Sequence, residues 1–189
     1  LVYNTGVEDL PRYIKESLYE MVIMGTHGEK GLEKILGTNT QKVLRHSKVP
    51  VLAIKKHDKP ISSLKRMLIA TDFQEKSKMG FNKLIELARK LKLEIDLVYV
   101  NVPFNFQESL QIKRLINNFT ETYTDFEIRK HIINANNEDR GIGMSIGDIG
   151  PGIVGVVTHN RSAFLNLFSS GITESVINNF DIPVLSVHS

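Results

Sequence analysis

Residues 21–54 read MVIMGTHGEKGLEKILGTNTQKVLRHSKVPVLAI, and residues 153–187 read IVGVVTHNRSAFLNLFSSGITESVINNFDIPVLSV. Thr26-His27 matches Thr158-His159 at an offset of 132, and Val49-Pro50-Val51-Leu52 matches Ile182-Pro183-Val184-Leu185 at an offset of 133. Each stretch opens on an apolar strand-like run, crosses a polar loop and a helix-like segment, and closes on a second apolar run after a turn. Self-similarity of this kind marks a repeated α/β unit. Residues 1–56 are expected to form the C-terminal half of one copy and residues 65–189 a second copy. Residues 57–64, polar and containing Pro60, join them. Because the second copy starts near Lys65, the offset places the beginning of the first copy upstream of Leu1.

The second copy can be followed from its start. Arg66–Ala70 reads as a strand, and Asp72 with Glu75 has the spacing of a helix capping box. Phe81, Leu84, Ile85, Ala88 and Leu91 then recur on one helical face. Glu94–Val100 is a second strand, Leu110, Leu115, Ile116 and Phe119 suggest another helix, and Phe126–Ile133 is a third strand. Strands that are apolar on both faces and alternate with helices imply a parallel sheet covered on both sides. Six of the 13 glycines fall at 141, 143, 147, 150, 152 and 155, so the helix required between the third and fourth strands should be short or frayed. Their spacing is not that of a dinucleotide fingerprint.

Composition narrows the function. The chain has 189 residues, 41% hydrophobic and 24% charged, which is ordinary for a globular protein. It has no cysteine, which excludes disulfides, thiol catalysis and Cys-ligated metal. The net charge of +3 is too small to argue for nucleic acid, and it lies wholly in residues 1–59, where 10 basic residues face 7 acidic ones. No apolar run is long enough to span a bilayer and no secretory signal opens the chain, so no membrane partner and a cytoplasmic location are expected.

With MVIMGTHG, the later Gly37-Thr38, the Thr40–His46 helix, the VPVLAI strand and the MLIATDF opening of the second copy in view, the sequence resembles the universal stress protein family in its tandem two-domain form. The resemblance implies an α/β fold: an open five-stranded parallel sheet with helices on both faces, Rossmann-like and related to the adenine nucleotide α-hydrolases, in two tandem copies with the first incomplete. It also implies a stress-response regulatory role without enzymatic activity, binding of ATP or AMP, and dimerisation through the last strand. The family's motif is G-x-x-G, nine residues, then G-S/T. Here Gly25 and Gly28 supply the first pair and Gly37-Thr38 the second, with eight residues between them. Glycines admit phosphate oxygens close to backbone N–H groups, and Thr38 opens a helix whose dipole favours anions.

The second copy has lost this pattern. Val157 and Asn160 replace the early glycines, Ser170-Gly171 replaces Gly-Ser/Thr, and Glu174 would oppose phosphate. Residues 25–48 carry five basic and two acidic residues (+3), whereas residues 157–181 carry one and two (−1). Asp72 matches the family's adenine-contacting aspartate, with Val98 or Val100 on the strand lining the base pocket, yet a helix cap explains Asp72 equally and is preferred. No nucleotide is therefore expected in the second copy.

His27 and His159 share a loop position, but no GxSxG serine, HxxxH pair or Walker-type GxxxxGK[ST] accompanies them, so no catalytic residue and no metal site is assigned. Two other readings stand beside the nucleotide-binding regulator: a nucleotide-free pseudo-dimeric scaffold, and an enzyme of the α-hydrolase superfamily. The apolar segments Val49–Ile54 and Ile182–Val187 are expected to pair antiparallel within one chain, in imitation of the family's dimer, and a homodimer is expected in addition.

Overall fold

The computed structural model describes residues 14, 19–25, 43–44, 47–55, 63–158 and 182–188. Among them seven strands form: β1 (Val22–Gly25), β2 (Val51–Ile54), β3 (Arg66–Ala70), β4 (Glu94–Asn101), β5 (Ile128–Asn134), β6 (Ile153–Thr158) and β7 (Val184–His188). Three helices connect strands of the second half: α1 (Lys78–Leu91), α2 (Ser109–Thr120) and α3 (Glu138–Ile149).

All seven strands belong to one sheet in the order β1-β2-β7-β6-β3-β4-β5. Every neighbouring pair is parallel except β2 and β7, which run antiparallel with Val51 opposite Ser186, Leu52 opposite Leu185 and Ala53 opposite Val184. This corrects the expectation of purely parallel five-stranded sheets. The run β7-β6-β3-β4-β5 is parallel throughout. The edge of β7, however, hydrogen-bonds to β2, since two unsatisfied strand edges are stabilised by satisfying each other. One mixed seven-stranded sheet results, and no second sheet occurs among the described residues.

Successive side chains point to opposite faces, and each face has its own core. On one, Met67, Ile69, Ile95, Leu97, Ile153, Leu52 and Leu185 pack beneath Phe81, Leu84, Ile85 and Ala88 of α1 and Ile112, Ile116 and Phe119 of α2. Rings extend this layer: Phe119 meets Phe73 and Phe81 edge-on at 5.3 and 5.0 Å between centroids. On the other face, Leu68, Val98, Val154, Val156, Val51 and Ala53 pack with Ile142 of α3 and with Ile14, Val43 and Leu44. The helical face expected for α1 is the one buried, apart from Leu91, which is exposed. In α2 the buried face is Ile112, Ile116 and Phe119, and Leu110 lies outside it.

The helix α3 differs from expectation. It runs a full 12 residues, capped by the Asn137 side chain accepting from Arg140 N at 2.9 Å and closed by Gly150 in the left-handed conformation (φ 62°). Close packing explains one of its glycines. A Cβ on Gly141 would sit 2.2 Å from Cγ1 of Val100, so only glycine lets α3 lie this near β4.

Two substitutions in this helix should therefore have opposite effects. Gly141→Ala gains helix propensity but is overpacked, and should cost about 1–3 kcal/mol. Gly147→Ala, where a Cβ meets nothing within 4 Å, should stabilise by roughly 0.5–1 kcal/mol. Urea unfolding followed by circular dichroism measures both, and a stabilising Gly141→Ala would contradict the packing.

Candidate functional site

Open parallel sheets place ligands outside the carboxyl ends of their strands, at the point where successive connections diverge. That point lies here between β3 and β6, because β3 leads to β4 on one side while β6 and β7 lie on the other. The loop leaving β3 there is Thr71-Asp72-Phe73-Gln74. Phe73 adopts φ 56°, a conformation that costs a non-glycine residue about 1–2 kcal/mol. Its buried ring is held against Tyr99 and Phe119 at 5.5 and 5.3 Å, and this packing offsets the strain.

The same loop sets the role of Asp72. Its Oδ1 accepts from the Gln74 backbone N–H at 3.1 Å and from the Ser77 hydroxyl, and Lys76 Nζ lies 3.8 Å from Oδ2. The expected capping box with Glu75 does not form. A 3-10 turn (Glu75–Ser77) intervenes, α1 begins only at Lys78, and Asp72 braces the loop in front of both. Two further polar atoms near the carboxyl end of the sheet are buried without a hydrogen-bond partner among the described residues: Thr71 Oγ1, just after β3, and Asp139 Oδ1, in the first turn of α3. Burial, reinforced by the neighbouring Glu138 charge, pushes the Asp139 carboxyl up to about 6.

Gly25 ends β1, is exposed, and has open space where a Cβ would stand. Gly28, Gly37 and Thr38 lie outside the described residues, as do His27, His159, Asn160, Ser170, Gly171 and Glu174. The sheet does not bring Gly25 and Asp72 together. Four strand steps separate β1 from β3, about 19 Å at the usual spacing. The antiparallel β2–β7 pair also reverses direction, so the carboxyl ends of β1 and β2 lie at the opposite end of the sheet from those of β3 and β6. Any site at Gly25 is thus separate from any site at Asp72.

One cluster escaped the sequence reading. Asp96, in the middle of β4, is fully buried, and its carboxylate receives Arg129 Nε at 2.9 Å, Arg129 Nη2 at 3.0 Å and His131 Nε2 at 2.8 Å. Arg129 also reaches Glu94 at 2.7 Å, and Arg66 Nε lies 3.6 Å from Glu94 and 3.7 Å from Asp96. Arg66 further donates to Ile149 O at 2.7 Å, tying the end of α3 to the network. The signal was available: an Asp inside the apolar run EIDLVYV requires a partner, and Arg129 and His131, two apart on a strand, share a face. Burial pushes the Asp96 carboxyl up, but the hydrogen bonds from Arg129 and His131 and the charges of Arg129 and Arg66 outweigh it and hold it below the usual range. The hydrogen bond and charge of Arg129 hold Glu94 low as well. This cluster braces three strands around the Asp96 carboxylate, which is held by Arg129 and His131 with Arg66 close by.

Comparison with known proteins bears on the first segment and on the whole fold. Residues 1–55 match the model of the universal stress protein family. Among curated proteins, none matches the sequence. The fold as a whole is similar to a crystal structure of a universal stress protein from Archaeoglobus fulgidus, with a TM-score of 0.76 at 21% identity, covering 96% of this chain and 66% of that one. A functionally unknown protein from Pseudomonas aeruginosa gives a TM-score of 0.72 at 16% identity, covering 98% of this chain and 69% of that one. A universal stress protein solved in complex with cAMP gives 0.50 at 13% identity, covering 67% of this chain and 98% of that one. The chain thus spans about two thirds of the length of the first two structures.

Two of the perturbed carboxyls, Asp96 and Asp139, should leave opposite marks on stability. Asp96 is held low, so its contribution is complete above about pH 4 and is lost as pH falls through the folded value. Asp139 is held high, so the folded state keeps its proton longer and stability declines as pH rises from about 4 towards about 6. Asp96→Ala should cost about 3 kcal/mol, the low end for a broken buried pair because Arg129 and His131 keep some exposure. Asp139→Asn should raise the melting temperature at pH 7 and leave it unchanged near pH 4. Thermal melts across pH for both variants test the assignments, and a pH-independent gain from Asp139→Asn would overturn the second.

Proposed function

We propose that this chain is a universal stress protein of the tandem kind: a stress-response regulator that acts by binding adenine nucleotide rather than by catalysis. The observation that carries this reading is the family match over residues 1–55, the stretch that holds Gly25, Gly28, Gly37 and Thr38. In this reading residues 1–56 are the C-terminal half of one family unit, residues 57–64 a linker, and residues 65–189 a second unit.

Repeated geometry supports the two-unit reading. β1 pairs with β2 from Val22 opposite Val51, and β6 pairs with β7 from Val154 opposite Val184, the same register at offsets of 132 and 133. Val22 N donates to Pro50 O at 2.9 Å, and the corresponding Val154 N donates to Pro183 O at 3.0 Å. At the β2–β7 contact Leu52 faces Leu185, its counterpart at offset 133, so a local two-fold axis passes between them.

The proposed ligand is ATP or AMP, bound once per chain by the backbone N–H groups around Gly25, Gly28, Gly37 and Thr38. The basic excess of residues 25–48 favours phosphate there. Asp72 belongs to the other unit, and its commitment to Gln74 and Ser77 supports a bracing role over base recognition. The solved relative that carries cAMP makes a cyclic adenine nucleotide a reasonable third probe.

Titration calorimetry of the full chain with ATP, AMP and cAMP tests the proposal. At most one equivalent should bind, Gly37→Val should abolish binding, and Asp72→Ala should change it less than about twofold. Two equivalents, or loss of binding in Asp72→Ala alone, would assign the site to the other unit. No binding by any of the three would favour the second reading, a nucleotide-free scaffold, which the continuous sheet across β2 and β7 independently favours.

A further inference from the structure

The loop after β4 holds apolar side chains out in water. Phe104 is fully exposed, Phe106 is 67% exposed, and Leu110, in the first turn of α2, is 59% exposed. Three of the eight exposed large hydrophobic side chains among the described residues therefore fall within seven residues. The loop is pinned in this shape. Pro103 opens its 3-10 turn, Pro103–Asn105, and the buried Asn101 amide holds Gln107 at both ends. Asn101 Nδ2 donates to Gln107 O at 3.2 Å and to Asn134 Oδ1 at 3.0 Å, and Asn101 Oδ1 accepts from Gln107 N at 3.0 Å. Glu108 N then donates to Gln111 Oε1 at 3.3 Å as α2 begins. A fixed loop that presents apolar surface loses little entropy when something covers it.

A cleft of about 440 Å³ lies beside the turn, lined by Asn101, Pro103, Phe106, Asn134, Ala135 and Asn136. Phe104 is not part of that lining, and its full exposure means that it makes no use of the cleft of its own chain. Charge is missing from the whole face. Residues 101–107 and 132–137 carry none, in a chain that is 24% charged. Aromatic enrichment with depletion of charge marks the core of a protein–protein contact, whereas a lipid headgroup surface calls for basic residues.

We propose that this face joins two copies of the chain in an isologous dimer, with Phe104 of each copy seated in the cleft of the other. A ring and a recess side by side on one surface are self-complementary about a two-fold axis, and the axis closes the assembly at two copies. An aromatic side chain buries roughly 150–250 Å². Two phenylalanines and Leu110 from each copy would bury on the order of 1,000 Å² in total, the low end for a specific interface. A dissociation constant in the micromolar range follows. This contact differs from the last-strand pairing that the family resemblance implies, because here the edge of β7 is taken by β2 within the chain. It needs no nucleotide, so it stands apart from the function proposed above.

Sedimentation velocity of the full chain from about 1 to about 300 μM tests the proposal. A reversible monomer–dimer equilibrium is expected within that range. Phe104→Asp and Asn136→Arg, both at exposed positions, should each weaken association about tenfold or more with the circular dichroism spectrum unchanged. Met79→Asp, at an exposed apolar position on α1, should leave association as it is. The chain has no cysteine, so paired variants report the contact directly. On oxidation, a mixture of Asn105→Cys and Asn136→Cys chains should give more disulfide-linked dimer than either variant alone. Monomer at every concentration, association unchanged in both face variants, or equal loss in Met79→Asp would overturn the proposal. Growth beyond two copies, or no excess cross-linking in the mixture, would overturn it too. Failure of the nucleotide proposal would instead appear in the calorimetry with ATP, AMP and cAMP and leave the sedimentation untouched.

Discussion

The antiparallel contact of β2 with β7 is the constraint on which the rest of the molecule depends. It places Leu52 against Leu185 on one face and Val51 and Ala53 against Ser186 and Val184 on the other, so both apolar layers run across it without a break. A slip of one residue would turn each strand's side chains to the wrong face, which makes the register specific. Further contacts secure the same region: His188 Nε2 donates to Leu44 O at 3.2 Å, and Lys83 Nζ donates to His188 O at 3.0 Å. The β1–β2 pair is thereby fixed to the five parallel strands as part of one sheet.

Direction is the functional consequence of that contact. Ligand sites in parallel sheets form at the carboxyl ends of strands, where loops and helix N-termini present N–H groups. Because β2 meets β7 antiparallel, the carboxyl ends of the two parallel blocks face opposite ends of the sheet. The carboxyl end of β1 and the loop after β3 are thus kept apart, and each block has its own end of the sheet on which to carry a site. This separation allows one block to keep a glycine-rich loop while the corresponding loop of the other changes composition and charge.

Within the second block the carboxyl end is held by polar contacts that a ligand would otherwise make. Asp72 is committed to Gln74 and Ser77, and the strained Phe73 is held by its ring contacts. Asn101 closes the loop after β4. Towards the other end of these strands, Asp96 gathers Arg129, His131 and Arg66 across three strands. Removing one member of such a buried network leaves the others uncompensated, which makes it a strong determinant of this sheet's register even where its net stabilisation is modest.

Periodicity in the sequence located β3 and β4 nearly to the residue and the buried face of α1, though not its start, because a strand covered on both faces must be apolar at successive positions and a packed helix must be apolar at three- and four-residue spacing. The resemblance to the universal stress protein family, rather than periodicity, singled out Gly25, Gly28, Gly37 and Thr38, of which Gly25 lies among the described residues. Three features needed the tertiary structure. The glycine at 141, which propensity alone counts as a penalty, is explained by the close approach of Val100 to α3. The partners of Asp96 and Asn101 lie on other strands and loops, at distances along the chain that no local pattern encodes. The repeat suggested that Val49–Ile54 and Ile182–Val187 would meet, but the register of β2 on β7, Leu52 opposite Leu185, and the single seven-stranded sheet it closes belong to the tertiary structure. Main-chain groups are the same in every residue but proline, so side-chain pattern specifies which strands form, and packing in three dimensions fixes how their edges align.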